Sequence, residues 1–236
     1  MRIRPLLIAL TLALFVVSPA RAQQGTVRYE VTIEREVQLT PDLAHLADQF
    51  PRLLTADRVL SFDATTALTR DAPRRETSAP GNAQMVVRRP ESVTWVSGGD
   101  RLEQTELLGR SFLIRDDALR LVWRLTGETA EFLGYPCQKA LATRDSVTVE
   151  AWFTLQIPAP VGPEAYGGLP GLILVLTDGP RSFVAREVRL GPLPDAALEP
   201  PTRGRAVTRQ EYARIVREKM EELGAESGGV RVIRMN

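Results

Sequence analysis

The sequence predicts a mainly β (α+β) fold: a curved antiparallel sheet or half-barrel with a short N-terminal helix and a C-terminal amphipathic helix. Three observations carry this reading. Apolar and polar residues alternate in several short runs between residues 26 and 190, the period of strands with one buried face. From Ala83 to Leu190 those runs follow one another closely, joined by turn residues without intervening helices, as in an antiparallel sheet. A sustained helical period closes the chain at about 208–223.

The chain opens on an export signal. Arg2 and Arg4 precede the apolar run Leu6–Val17, and Ala20-Arg21-Ala22 supplies a small-residue cleavage site, so residues 1–22 are expected to be removed. The run is shorter than the roughly 20 residues that span a bilayer. No cysteine follows it closely, and no later run is long enough for a membrane span. The expected destination is the periplasm or the cell exterior, with residues 23–236 as one β-rich domain.

From Thr26 to Leu39, Val27, Tyr29, Val31, Ile33, Val37 and Leu39 alternate with polar residues, so a long half-buried strand is expected. Thr40 can cap a helix with Pro41 at its first position. Leu43, Leu46, Ala47 and Phe50 then share one helical face up to Pro51. Alternation resumes from Arg58 to Ala67, and the stretch 71–82 is a loop rich in turn residues. Strands are expected around Met85 and Val87, and around Val93 and Trp95.

Phe112 and Ile114 lead into Asp116-Asp117, read as a solvated hairpin tip. Leu119, Leu121, Trp123 and Leu125 form the next alternating run, followed by 147–154. Leu172–Leu176 is apolar throughout, as expected for a strand buried on both faces, and 183–190 closes the series. Residues 191–201 form a Pro-rich connector. Thr208 and Glu211 make a capping box. Tyr212, Ile215, Val216, Met220 and Leu223 line one helical face, with Gly224 as the stop signal.

Composition narrows the function classes. Removing Arg2, Arg4 and Arg21 takes the net charge from +1 to −2, leaving no basic surplus to neutralise nucleic-acid phosphates. The single cysteine, Cys137, admits no intrachain disulfide. It is either buried and inert or paired with another chain.

One His and one Cys cannot fill a tetrahedral metal shell, and no calcium-loop pattern is present. Neither a G-x-S-x-G elbow nor a phosphate-binding Gly-rich loop occurs. The spacing of Glu106, Glu150 and Glu164 pairs no two of them as acid and base. His45 reads as ordinary surface. The sequence therefore assigns no catalytic residue, metal or cofactor.

The densest cluster of turn and aromatic residues runs from Gly134 to Leu176. It contains Gly134-Tyr135-Pro136-Cys137-Gln138-Lys139-Ala140, Ala151-Trp152-Phe153-Thr154, Ile157-Pro158, Gly162-Pro163 and Gly168-Leu169-Pro170-Gly171-Leu172-Ile173. These blocks, in this order, resemble the GLPGLI family of exported bacterial proteins, whose members have no assigned activity. Pro136 stands where many relatives have a polar residue.

Read physically, Pro170-Gly171 predicts a type II turn with positive φ at Gly171, while Gly167 and Gly168 permit a bend or a close approach. Trp152 falls out of register with Val149, Ala151 and Phe153. Trp152 and the loop Tyr166, Gly167, Gly168, Leu169, Pro170 and Gly171 are the candidate ligand or partner contacts. Gly134, Tyr135, Cys137, Lys139, Ile157, Pro158, Gly162 and Pro163 are read as structural.

The expected activity is non-catalytic binding of an apolar ligand or an envelope protein through the concave sheet and this loop. A carboxylate-based hydrolase and a structural role in envelope assembly are the alternatives. The order of elements is like that of lipoprotein-carrier half-barrels, an architectural analogy alone.

Overall fold

A computed structural model of the protein describes residues 23–34, 36–39, 52–72, 92–226 and 230–233. The expected signal, the N-terminal helix with His45 and the strand around Met85 and Val87 lie outside these residues.

A curved open sheet of 12 strands organises the chain. Its centre is β1 (Gly25–Glu34). On one side the sheet runs through β12 (Arg181–Leu190), β11 (Leu172–Asp178), β10 (Val147–Thr154) and β9 (Tyr135–Arg144) to the edge strand β8 (Arg124–Phe132). On the other side it runs through β3 (Leu53–Phe62), β4 (Thr66–Asp71), β5 (Val93–Ser97), β6 (Asp100–Leu107) and β7 (Arg110–Asp117) to β13 (Arg205–Thr208). The ladders are antiparallel except that between β13 and β7, which is parallel. This departs from the all-antiparallel expectation, because a long connector returns the chain to the far edge.

A short pair, β2 (Glu36–Leu39) with β14 (Val230–Ile233), forms a separate sheet. The single strand expected over Thr26–Leu39 is thus two, each in its own sheet.

Alternation explains the core. Val27, Tyr29 and Val31 are buried, whereas Arg28 and Glu30 face outward and pair with Asp57 and Arg186 across neighbouring strands. One cluster joins these residues to Leu60, Phe62, Ala151, Phe153, Leu174, Leu176 and Phe183. At roughly 1.5–3 kcal/mol for each fully buried large side chain, this cluster is the main source of cohesion. Tyr29 is buried without strain on its polar end, since its hydroxyl donates to the Ile173 carbonyl at 2.5 Å.

A satellite cluster of Phe112, Ile114 and Val207 receives Tyr212 and Ile215 from the helix α1 (Arg209–Glu226). The expected capping box is present: the Thr208 amide donates to Glu211 Oε2 at 2.8 Å, and the Glu211 amide to Thr208 Oγ1 at 3.2 Å. The helix continues past the expected stop at Gly224. Among the described residues, no helix is long and apolar enough to cross a membrane.

Three local expectations are corrected. The run Arg58–Ala67 is broken by a turn, because Asp63 Oδ1 accepts the amides of Thr65 and Thr66, each at 2.8 Å. Such an Asx turn outcompetes the ladder. Residues 118–123 are an extended connector outside the ladders, although Leu119, Leu121 and Trp123 still point into the core. Asp116 is no solvated tip; it lies at the end of β7, paired with Arg101 and Arg209. Partial burial works to raise its pKa, but the two guanidinium groups and the Asp117 amide hold it below the ordinary carboxylate value.

Candidate functional site

The loop between β10 and β11, residues 155–171, lies within the main core. Ile157, Ala159, Val161, Tyr166 and Leu169 are buried, and Pro158 and Pro160 are exposed. The prolines create this alternation. The Ala159 amide donates to the Ile157 carbonyl and the Val161 amide to the Ala159 carbonyl, both at 2.8 Å. Each bond closes a three-residue turn around a proline, whose fixed φ suits that geometry.

The loop then doubles back. Val161 bridges Gly167, and the Gly168 amide reaches the Pro160 carbonyl at 3.0 Å. Leu172 and Ile173 donate to the Ile157 and Val161 carbonyls at 3.0 and 3.1 Å, so the start of β11 pairs with its own loop. Gly162 and the buried Pro163 lie within this fold-back. A Cβ on Gly162 would stand 2.8 Å from the Ile173 side chain.

The predicted type II turn with Gly171 at positive φ is not formed. Gly168 takes the positive φ of +84°. Gly171 is required for a different reason: a Cβ there would lie 2.0 Å from the Thr154 carbonyl oxygen. Pro170 is exposed beside it.

Polar residues fix the loop at both ends. The Trp123 indole donates to the Gly167 carbonyl at 2.9 Å. The Tyr166 hydroxyl donates to Asp178, a buried carboxylate, and accepts from Arg144 at 2.8 Å. Arg144 also pairs with Asp178 at 2.6 Å. Burial, reinforced by the Asp178 carboxylate, pushes the Tyr166 hydroxyl well above the ordinary phenol range. Glu164 pairs with Arg181 at 2.5 Å, while its amide donates to Thr69 Oγ1 at 2.9 Å. Glu164 holds φ at +54°, an uncommon conformation for a residue with a side chain.

A pocket of about 200 Å³ opens between this loop and the opposite half of the sheet. Its walls are residues 160–161 and 164–168, the turn at Ala64-Thr65, the turn at Gly98-Gly99, and Ala118-Leu119. Most of the lining residues are small or apolar. The titratable groups among them are Glu164, already paired, and Tyr166, whose hydroxyl is engaged with Asp178 and Arg144. Among the described residues, no three His, Cys, Asp or Glu side chains could hold a metal ion together.

The remaining predicted residues lie elsewhere. Gly134, at φ +79°, follows Leu133 at φ +54° in the β8–β9 turn, and two consecutive positive φ values suit a tight hairpin. Tyr135 packs at the core margin. Cys137 is 1% exposed, and burial pushes its thiol pKa up to about 11.

Lys139 reaches Glu128 at 3.3 Å and Glu150 at 3.1 Å. Trp152 is half-buried; it meets Phe132 edge-to-face at 5.6 Å, with the Lys139 ammonium 5.6 Å from its ring centre. Trp152 is therefore separate from the pocket. The pocket wall at Thr65, Gly98-Gly99 and Ala118 carried no motif, because it forms only when distant turns converge. Trp123 was visible in the sequence as a core residue, but its role as the clamp on Gly167 was not.

Residues 141–175 match the family described as "Protein of unknown function (Porph_ging)". The matched segment contains all of β10 and the whole loop. No curated protein matches the chain. Among solved structures, the chain is similar to PNGF-II in its P21 and C2 crystal forms, at TM-scores of 0.57 and 0.56 and 17% identity in both. Each comparison covers 84% of this chain, but 34% and 33% of the PNGF-II chain respectively. The protein thus spans about a third of the length of PNGF-II. At this identity the likeness concerns the fold alone.

Proposed function

We propose that this is an exported, non-catalytic binding protein of the GLPGLI type, which recognises a protein partner at the pocket beside residues 160–168. The observation that carries the reading is the pocket itself: mostly small or apolar walls, shaped largely by the loop, with their one carboxylate, Glu164, paired to Arg181. A volume of about 200 Å³ falls below the roughly 300–1,000 Å³ usual for small-molecule sites. It suits one anchoring side chain of a partner. The inner sheet face is occupied by Ile157, Val161, Tyr166 and Leu169, which weighs against a lipid in that position. A hydrolase would need a free acid and base, and Glu164, the carboxylate in the pocket wall, is engaged with Arg181, as Asp178 behind Tyr166 is with Arg144.

The test compares the wild type with Ala118→Trp, which fills the pocket from its rim. Both would be purified gently from the exported fraction and analysed by native mass spectrometry, with circular dichroism confirming the fold. A protein complex retained by the wild type and lost by the variant supports the reading. A small apolar adduct, or equal retention by both proteins, removes it.

A further inference from the structure

The export signal places Gln23 directly after Ala20-Arg21-Ala22. In the fold, order in the sheet begins almost at once: the Gly191 amide donates to the Gln24 carbonyl at 3.0 Å, and the β1 ladders start at Gly25. Gly25 is held tightly, since a Cβ there would stand 2.3 Å from the Arg189 carbonyl oxygen. Gln23 therefore stands two residues before the first ladder pair. Its side-chain Oε1 is shielded from solvent and has no hydrogen-bond partner among the described residues.

We propose that Gln23 is a modification site, where the new N-terminus closes to pyroglutamate after export. The inference rests on cleavage after Ala22 and is independent of what the pocket binds. The α-amine released by cleavage attacks its own side-chain amide carbon. A new C–N bond closes a five-membered lactam, the bond from Cδ to Nε2 breaks, and a proton passes from the attacking nitrogen to the leaving one, which departs as ammonia. No oxidant or reductant takes part. Both reacting groups belong to one residue, so the reaction has the large rate advantage of intramolecular attack.

The structure favours the product. Gln23 stands outside the β1 ladders, so the ring costs no ladder hydrogen bond. Cyclisation also removes a charged amine and a primary amide from the foot of the sheet and leaves a single ring N–H. Fewer donors then need partners there, while Oε1 persists as the lactam oxygen. Gln24 cannot react in this way, because its nitrogen is already in a peptide bond.

The full precursor would be expressed in an exporting host. The intact purified protein would be treated with an amine-acylating reagent before digestion, and its N-terminal peptide analysed by mass spectrometry. The expected peptide starts at residue 23, is lighter than encoded by one ammonia and carries no acyl group. Gln23→Ala should start at the same position with an acylated amine. An acylated, full-mass Gln23 in the wild type would overturn the cyclisation while leaving the cleavage site intact. A peptide starting at another residue would overturn the cleavage on which the inference rests. Neither result bears on the pocket.

Discussion

Tyr166 and Asp178 are joined by a hydrogen bond at the inner end of the loop, and Arg144 touches both. Tyr166 comes from the loop, Asp178 from the end of β11 and Arg144 from the end of β9, so three chain segments meet in one polar contact. Asp178 is almost fully buried, whereas the Arg144 side chain is 31% exposed. The loop therefore depends on a charge pair open to water on one side only.

Removing either partner should have distinct effects. Tyr166→Phe deletes the hydroxyl's bonds to Asp178 and from Arg144 but leaves Asp178 paired with Arg144, so the expected loss is about 1–2 kcal/mol. Asp178→Ala takes the carboxylate away from both the Arg144 guanidinium and the buried Tyr166 hydroxyl. That loss should be about 3 kcal/mol, the low end for a broken buried pair, since Arg144 can turn toward water. Urea denaturation would measure both. Equal losses would mean that the tyrosine hydroxyl, rather than the charge pair, holds the loop.

Two glycines of the signature should respond differently to alanine. At Gly168 the added methyl meets little, the nearest atom being the Trp123 indole nitrogen at 3.9 Å, so only the positive φ is penalised, by about 1–2 kcal/mol. At Gly171 the methyl would collide with the Thr154 backbone, which ends the interior strand β10 and cannot move alone. Gly171→Ala should therefore cost more than about 4 kcal/mol, in the range of severe core disruption. Thermal unfolding of the two variants separates these cases. Comparable melting temperatures would place the close approach at the wrong glycine.

This pair shows what periodicity can and cannot reveal. Leu-Pro-Gly reads locally as a turn, yet the local rule assigned the positive φ three residues too late. The constraint on Gly171 comes from Thr154, whose approach depends on how β10 and β11 pair. Strand residues such as Tyr29 and Phe153 were legible because burial in a sheet follows a period of two, and Leu174 because its strand is apolar throughout. Trp123 kept that alternation after leaving the ladder, so its burial was predictable while its secondary structure was not. The pocket was not legible at all: Ala64, Gly98 and Ala118 are unremarkable small residues until two turns and the connector after β7 converge on the loop.

Cys137 should behave as an inert thiol in the folded protein. With its pKa pushed up to about 11, the thiolate fraction at pH 8 should be roughly two orders of magnitude below that of an ordinary thiol near 8.5. Labelling by a thiol reagent should be slow before denaturation and complete after it. The raised value also fixes the direction of the pH dependence. The folded state binds this proton more tightly than the unfolded state, so its contribution is intact at neutral pH. It is lost as the pH rises from about 9 to about 11, by about 3 kcal/mol at most. Cys137→Ala should flatten that part of the stability profile. Rapid labelling of the native protein at pH 8 would contradict the burial.

Trp123 provides the last test, because it holds the loop from outside any strand. Its indole is the donor to the Gly167 carbonyl, and the ring packs at the margin of the main core. Trp123→Phe keeps most of the apolar contact and removes the donor, so global stability should fall by only about 1 kcal/mol. The larger effect should be local. The Gly168 amide bonds to Pro160 in the same fold-back, and its hydrogen exchange should accelerate once Gly167 is released. Exchange in β1 should stay slow, because its ladders to β3 and β12 are untouched. Faster exchange confined to residues 165–169 would establish Trp123 as the clamp on the pocket wall. Unchanged exchange there would mean that the proline turns and the Tyr166 contact hold the loop without it.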